Sequence, residues 1–130
     1  MATAAVDRNS NGSAVFKMIF DAGSELHGAS GAFLFSNVTG YPSANNLTIA
    51  EILTSYFVSF AVTTDPNPLK SANGPVWPSY LSGGAGNTAN GENVGFTVQE
   101  FTYTDIGPAP DADASCQCDF FTGRGVAVAN

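Results

Sequence analysis

The longest periodic run of apolar residues lies in the middle of the chain. Ile49, Ile52, Leu53, Tyr56 and Phe60 recur at intervals of three and four, and Phe57 widens the stripe. That spacing predicts an amphipathic helix from Thr48 to Thr63. Thr48 and Glu51 have the Thr-x-x-Glu spacing of a capping box at its start. The helix holds no Lys or Arg, so most of its surface is expected to be covered. Asp65-Pro66-Asn67-Pro68 ends it, because proline cannot continue the hydrogen-bond ladder. Upstream, Ala14-Val15-Phe16-Lys17-Met18-Ile19-Phe20 is short, apolar and rich in β-branched and aromatic residues. It reads as a strand. Its imperfect alternation suits burial on both faces in a parallel sheet.

The connecting stretches follow the same logic. Asp21 to Gly28 is a polar loop leaving the strand, with glycines at positions 23 and 28. Ala32-Phe33-Leu34-Phe35 is an apolar patch expected to pack down after it. Trp77 stands between Pro75 and Pro78, a rigid turn around a bulky packing anchor. Residues 82–93 are Gly/Asn-rich and loop-like. Val94 to Val98 reads as a short strand, and Glu100 to Thr104 continues it or pairs with it. Gly107 to Ser115 reads as a Pro/Ala/Asp linker. Cys116 to Phe121 reads as the start of a short helix closed by Gly123. Residues 1–13 form an irregular lead-in, and residues 123–130 a flexible tail.

Composition sets limits on this picture. The chain has 130 residues, 44% of them hydrophobic and 10 of them Phe, enough for one packed domain. Its formal charge is −7, from 11 acidic and 4 basic residues. That balance excludes nucleic acid as a partner, since phosphate binding needs clustered Lys and Arg. It also argues against anionic membrane surfaces. No apolar run approaches the roughly 20 residues that span a bilayer. The acidic stretch from Glu92 to Asp119 lacks the alternating ligands of a calcium loop, and it reads as a solvated surface. Cys116 and Cys118 are too close for an easy mutual disulfide, and no Cys or His cluster offers a zinc site. No metal or organic cofactor is expected.

The opening Met1-Ala2-Thr3-Ala4-Ala5-Val6 is not a signal peptide. Yet Asn11, Asn37 and Asn46 each begin an Asn-x-Ser/Thr sequon, which fits a secreted lineage. The two observations are reconciled if the chain is a piece of an extracellular protein without its leader.

His27 is the one histidine, and it stands on the loop that leaves the first strand. Loops at the carboxyl ends of strands carry function in open α/β sheets, and imidazole is the usual general base. A structural or surface histidine is the competing reading. No nucleophile elbow accompanies it. Gly-x-Ser-x-Gly, which allows the tight strand–turn–helix of an esterase, does not occur. Ser82-Gly83-Gly84-Ala85-Gly86 has the glycines without the central serine. Ser30 lies three residues from His27, a separation that does not by itself make a dyad. No phosphate-binding glycine loop appears.

Taken in order, several weak motifs carry a resemblance. They are the strand, His27-Gly28, Phe33-Leu34-Phe35, a helix with Tyr56-Phe57-Val58-Ser59-Phe60-Ala61, Asp65-Pro66-Asn67, Trp77-Pro78-Ser79-Tyr80 and Cys118-Asp119-Phe120-Phe121. From about Ala14 to Thr122 the chain resembles the C-terminal part of the type-B carboxylesterase/lipase family, which includes the cholinesterases and fungal lipases. The resemblance implies an α/β fold, as a C-terminal fragment of an α/β hydrolase with long loops and few strands. It implies that His27 is the catalytic base of a Ser–Glu–His triad acting on a carboxylic ester, and that Gly28 is the small residue beside it. Asp65, Pro66, Asn67, Trp77, Pro78 and Tyr80 match positions that are not catalytic in the family.

The family's nucleophilic serine in Gly-Glu-Ser-Ala-Gly, its acidic triad member and its oxyanion glycines all lie upstream of the histidine, and this sequence contains none of them. Ser30 stands where the family has Glu or Asp, Gly31 where an aliphatic residue is common, and Thr63-Thr64 where a Gly or Leu approach is usual. The implied function is a segment of a serine ester hydrolase that supplies the histidine, is inactive alone, and meets its ester only with the upstream part. A non-enzymatic relative used for binding or adhesion, or a truncated product without function, is the alternative. The isolated chain is expected to self-associate, with Phe33, Phe35, Phe57 and Phe60 exposing surface that further chain would cover.

Overall fold

The computed structural model describes residues 14–23, 26–36, 44–81 and 96–111. The expectations for the lead-in and the 123–130 tail fall outside them. So do those for the 82–93 loop, the Cys116–Phe121 helix, and the sequons at Asn11 and Asn37. The elements run β1 (Met18–Phe20), α1 (Gly31–Leu34), α2 (Leu47–Thr63), β2 (Thr97–Phe101) and β3 (Ile106–Pro110). This is an α/β fold with a small mixed sheet in the order β1-β2-β3. β1 pairs parallel with β2, in the register Met18 to Gln99, Ile19 to Glu100 and Phe20 to Phe101. Parallel pairing requires a long crossover, and the helices lie within it. β2 and β3 are joined by a turn in which Thr102 N–H donates to the Asp105 carbonyl at 2.9 Å. So tight a connection makes that pair antiparallel.

Three expectations change here. β1 is shorter than Ala14–Phe20, and its residues are half-buried. It is an edge strand of the described sheet, which explains the imperfect alternation without burial on both faces. The Pro/Ala/Asp linker is instead partly strand β3. Its Pro108 and Pro110 are tolerated because β3 also lies at an edge, where a missing N–H breaks no ladder. Helix α2 is not started by a Thr48–Glu51 box. Asn46 is the N-cap, and its side chain accepts from Thr48 N–H and Ile49 N–H at 3.1 Å each. Glu51 accepts a bond from Ser71 Oγ at 2.7 Å.

The chain divides into two compact units. One comprises Met18–Pro78 and Gln99–Pro108; the other comprises Met1–Lys17, Ser79–Val98 and Ala109–Asn130. In the first, Ile49, Ile52, Leu53 and Tyr56 of α2 are buried. Tyr56 meets Trp77 edge-on at 5.2 Å and Phe101 at 6.1 Å. Trp77 is the packing anchor its prolines indicated, 7% exposed and 6.3 Å from Phe101. Phe33 is also buried, as expected of a patch that packs down after the loop but unlike the surface exposure expected of it in the isolated chain, because it seats edge-on against Phe20 at 5.0 Å. The far end of α2 is different: Phe57, Val58, Phe60 and Val62 are all 40% exposed or more. Across 17 residues the helix carries one charge, Glu51, so the exposed part of its surface is apolar as well.

Asp65-Pro66-Asn67 and Trp77 form a clip in this unit. The Asn67 amide donates to the Trp77 carbonyl at 3.0 Å and accepts the Trp77 N–H at 2.8 Å. It also donates to Asp65 Oδ1 at 2.8 Å. Ser59 Oγ and Thr63 Oγ1 both donate to the Asp65 carbonyl, so the last turn of α2 is bound to the segment that reverses it. Thr64, the C-cap, sits at φ 62°, a left-handed conformation unfavourable for a β-branched residue. Thr64→Gly relieves it and is expected to stabilise the chain by about 1 kcal/mol. A lower urea midpoint in the variant would count against that reading.

Tyr56 carries the clearest pH signature. Its hydroxyl donates to the Pro75 carbonyl, and burial raises its pKa from 10.0 to about 12. The folded state therefore holds this proton longer than the unfolded chain does. The contribution is fully present below pH 10 and is lost as pH rises towards 12. In melts taken across that range, Tyr56→Phe should flatten the alkaline decline relative to the parent. Identical alkaline slopes would reject the assignment.

In the second unit, the Val15 carbonyl accepts Tyr80 N–H at 2.7 Å, and the Tyr80 carbonyl accepts Thr97 N–H at 3.0 Å. The Tyr80 ring stacks on Phe96 at 5.0 Å. Asp111, 1% exposed, accepts Lys17 Nζ and Tyr80 Oη at 2.6 Å each.

Candidate functional site

The His27 turn is built from both sides. Asp21 N–H donates to the Phe101 carbonyl at 2.8 Å, which carries the β1–β2 pairing one residue past the strand. The chain bends at Gly23, φ 123°. Leu26, His27, Gly28 and Ala29 then form a β-turn closed by Ala29 N–H to the Leu26 carbonyl at 2.9 Å. Gly28 has φ 82°, the signature of a type II turn at its third position. A Cβ on Gly28 would meet nothing within 4 Å. Glycine is therefore required by the backbone dihedral and not by crowding. His27 precedes it, exposed on the turn.

After the turn, Gly31 N–H donates to the Gly28 carbonyl, and the Ser30 carbonyl accepts from Phe33 and Leu34. Ser30 thus opens α1 with its backbone, and its side chain makes no capping bond. Buried Phe33 fastens α1, and through it the turn, to Phe20. An open pocket of about 340 Å³ lies beside this segment, lined by Ala22, Gly23, Ala29, Ala32, Phe33, Asn45 and Tyr103. Its walls are mostly small residues. Asn45 Nδ2 donates to Tyr103 Oη at 2.6 Å.

The structure thus places His27 on an exposed, geometrically defined turn beyond the β1 strand end. Four of the six motif residues expected to be non-catalytic hold the fold together through hydrogen bonds. Asp65, Asn67 and Trp77 form the clip, and Tyr80 supports Asp111. Asn46 is of a residue type favoured at N-caps and stands three residues before Ile49, a signal missed by starting the helix at the Thr48–Glu51 spacing. Among the described residues, no group of three His, Cys, Asp or Glu side chains could hold a metal ion. Among the same residues, no helix is long and apolar enough to cross a membrane.

The class is α/β, with helices in the crossover of a parallel pair and a turn-borne histidine beyond the first strand. No family model matches the chain, and no curated protein matches it. Among solved structures it is similar to a crystal structure of Aspergillus niger EstA, with a TM-score of 0.62 and 18% sequence identity. The match covers 96% of this chain and 25% of that one. At that identity the shared property is the fold, and this chain spans about a quarter of the length of the structure it matches.

Proposed function

We propose that this chain is the histidine-bearing part of a secreted serine carboxylic-ester hydrolase of the type-B kind, with His27 as the general base. The observation that carries the reading is the fold likeness over 96% of the chain, together with His27-Gly28 on an exposed type II turn after β1. The edge position of β1 in the described sheet and the exposed apolar end of α2 support it, since both are surfaces that further chain of such a fold would cover. In this reading the imidazole takes the proton of a serine hydroxyl as that oxygen attacks the ester carbonyl, then returns it to the leaving alcohol. The serine and the oxyanion donors come from chain that precedes this sequence. Alone, the segment has neither nucleophile nor oxyanion hole and hydrolyses nothing.

The test begins with the sequence encoded upstream, which should contain Gly-x-Ser-x-Gly. The chain joined to that segment should take up a fluorophosphonate probe at that serine, while the chain alone takes up none. An upstream segment with another residue in the serine position, or a joined protein that stays unlabelled, would end the enzymatic reading. It would favour the non-enzymatic binding relative.

A further inference from the structure

Helix α2 begins with a sequon, Asn46-Leu47-Thr48. The cap uses only one end of the Asn46 carboxamide: Oδ1 accepts from Thr48 and Ile49. The acceptor atom for N-glycosylation is Nδ2, which the cap does not engage. Leu47 is 69% exposed and Thr48 is exposed, so the sequon stands at the surface. Attaching a sugar to Nδ2 leaves a secondary amide whose oxygen still accepts hydrogen bonds. Cap and glycan are therefore chemically compatible, which would not hold if Nδ2 were the capping atom.

A second feature lies beside it. An open groove of about 260 Å³ has a mixed lining: Asn46 itself, Asn73, Thr102, Thr104, Asp105 and Tyr103 contribute to it, beside apolar side chains such as Ile49, Ile52 and Ile106. Hydroxyls, an amide and a carboxylate suit sugar hydroxyl groups, and a half-exposed aromatic ring suits the apolar face of a pyranose.

We infer that Asn46 is an N-glycosylation site whose first sugar lies in this groove. The reaction is transfer from a lipid-linked diphosphate oligosaccharide. A bond forms between the sugar C1 and Asn46 Nδ2, the C1–O bond to the diphosphate breaks, and the amide proton passes to a base of the transferase. This assignment rests on the secretory route proposed above but not on ester chemistry, so it stands or falls separately from the role of His27.

The experiment directs the full chain into a eukaryotic secretory pathway with a leader attached, and with Asn11→Gln and Asn37→Gln removing the other sequons. Intact mass should show one glycan, removed by an amide-cleaving glycosidase. Thr48→Ala destroys the sequon but keeps the cap, and Asn46→Asp keeps a capping oxygen but removes the acceptor amide. Both should abolish the glycan. Trimmed to a single sugar, the glycosylated protein should melt a few degrees above Thr48→Ala, and Tyr103→Ala should erase that difference without changing occupancy. Absence of glycan at Asn46 in the secreted chain overturns the site. Occupancy with no Tyr103-dependent gain in melting temperature overturns the groove.

Discussion

His27→Ala in the chain joined to its upstream segment is expected to lower turnover of a chromogenic short-chain ester by roughly four orders of magnitude. A serine hydroxyl is a poor nucleophile at neutral pH, and the base that takes its proton acts only in the transition state. The loss should therefore appear in kcat, with KM little changed. Gly28→Ala tests the turn separately. With φ 82° at position 28, any side chain strains the type II turn, although it has open space around it. That variant should lower kcat by a smaller factor, through displacement of the imidazole. Ser30→Ala should cost little, since the Ser30 side chain makes no capping bond. Full turnover without His27 refutes the role proposed for it. Hydrolysis by the isolated chain, abolished at Ser30, would identify a different nucleophile.

Asp111→Ala is expected to destabilise the chain by about 2–3 kcal/mol, because it removes a buried carboxylate on which two hydrogen bonds converge. Asp111 is 1% exposed and holds Lys17 and Tyr80 on its two oxygens. Removing it takes a shared acceptor from an ammonium that is 23% exposed and from the buried Tyr80 hydroxyl. Replacing Lys17 and Asp111 together with Met and Leu should cost less than Asp111→Ala alone, because an apolar pair carries no desolvation penalty. Urea unfolding of the two variants against the parent decides this. A loss of under about 1 kcal/mol for Asp111→Ala would show that the pair behaves as an exposed one.

Helix α2 was legible because its signal is local. A 3.6-residue period and a proline stop report on residues within a few turns of each other, and burial of Ile49, Ile52, Leu53 and Tyr56 follows that period. The His27-Gly28 turn was legible for the same reason, since glycine is the residue that takes a positive φ at low cost. Trp77 between prolines likewise announced an anchor.

The remaining features depend on residues far apart in the chain. Lys17 meets Asp111 across 94 positions, and no spacing rule reaches that far. A stretch read as a linker became strand β3 because an edge position excuses its prolines. Gln99 lies buried, with no hydrogen-bond partner for its amide among the described residues, which alternation along β2 cannot forecast. Within one apolar patch Phe33 is buried and Phe35 is exposed, and Phe57, in the same apolar stripe as Tyr56, is exposed as well. By itself the sequence determined where helix α2 coils and stops, and that the histidine stands on the loop after the first strand. Pairing, burial and the strand edges were decided only by the tertiary structure, because they depend on which distant backbone arrives to share a hydrogen bond or exclude water.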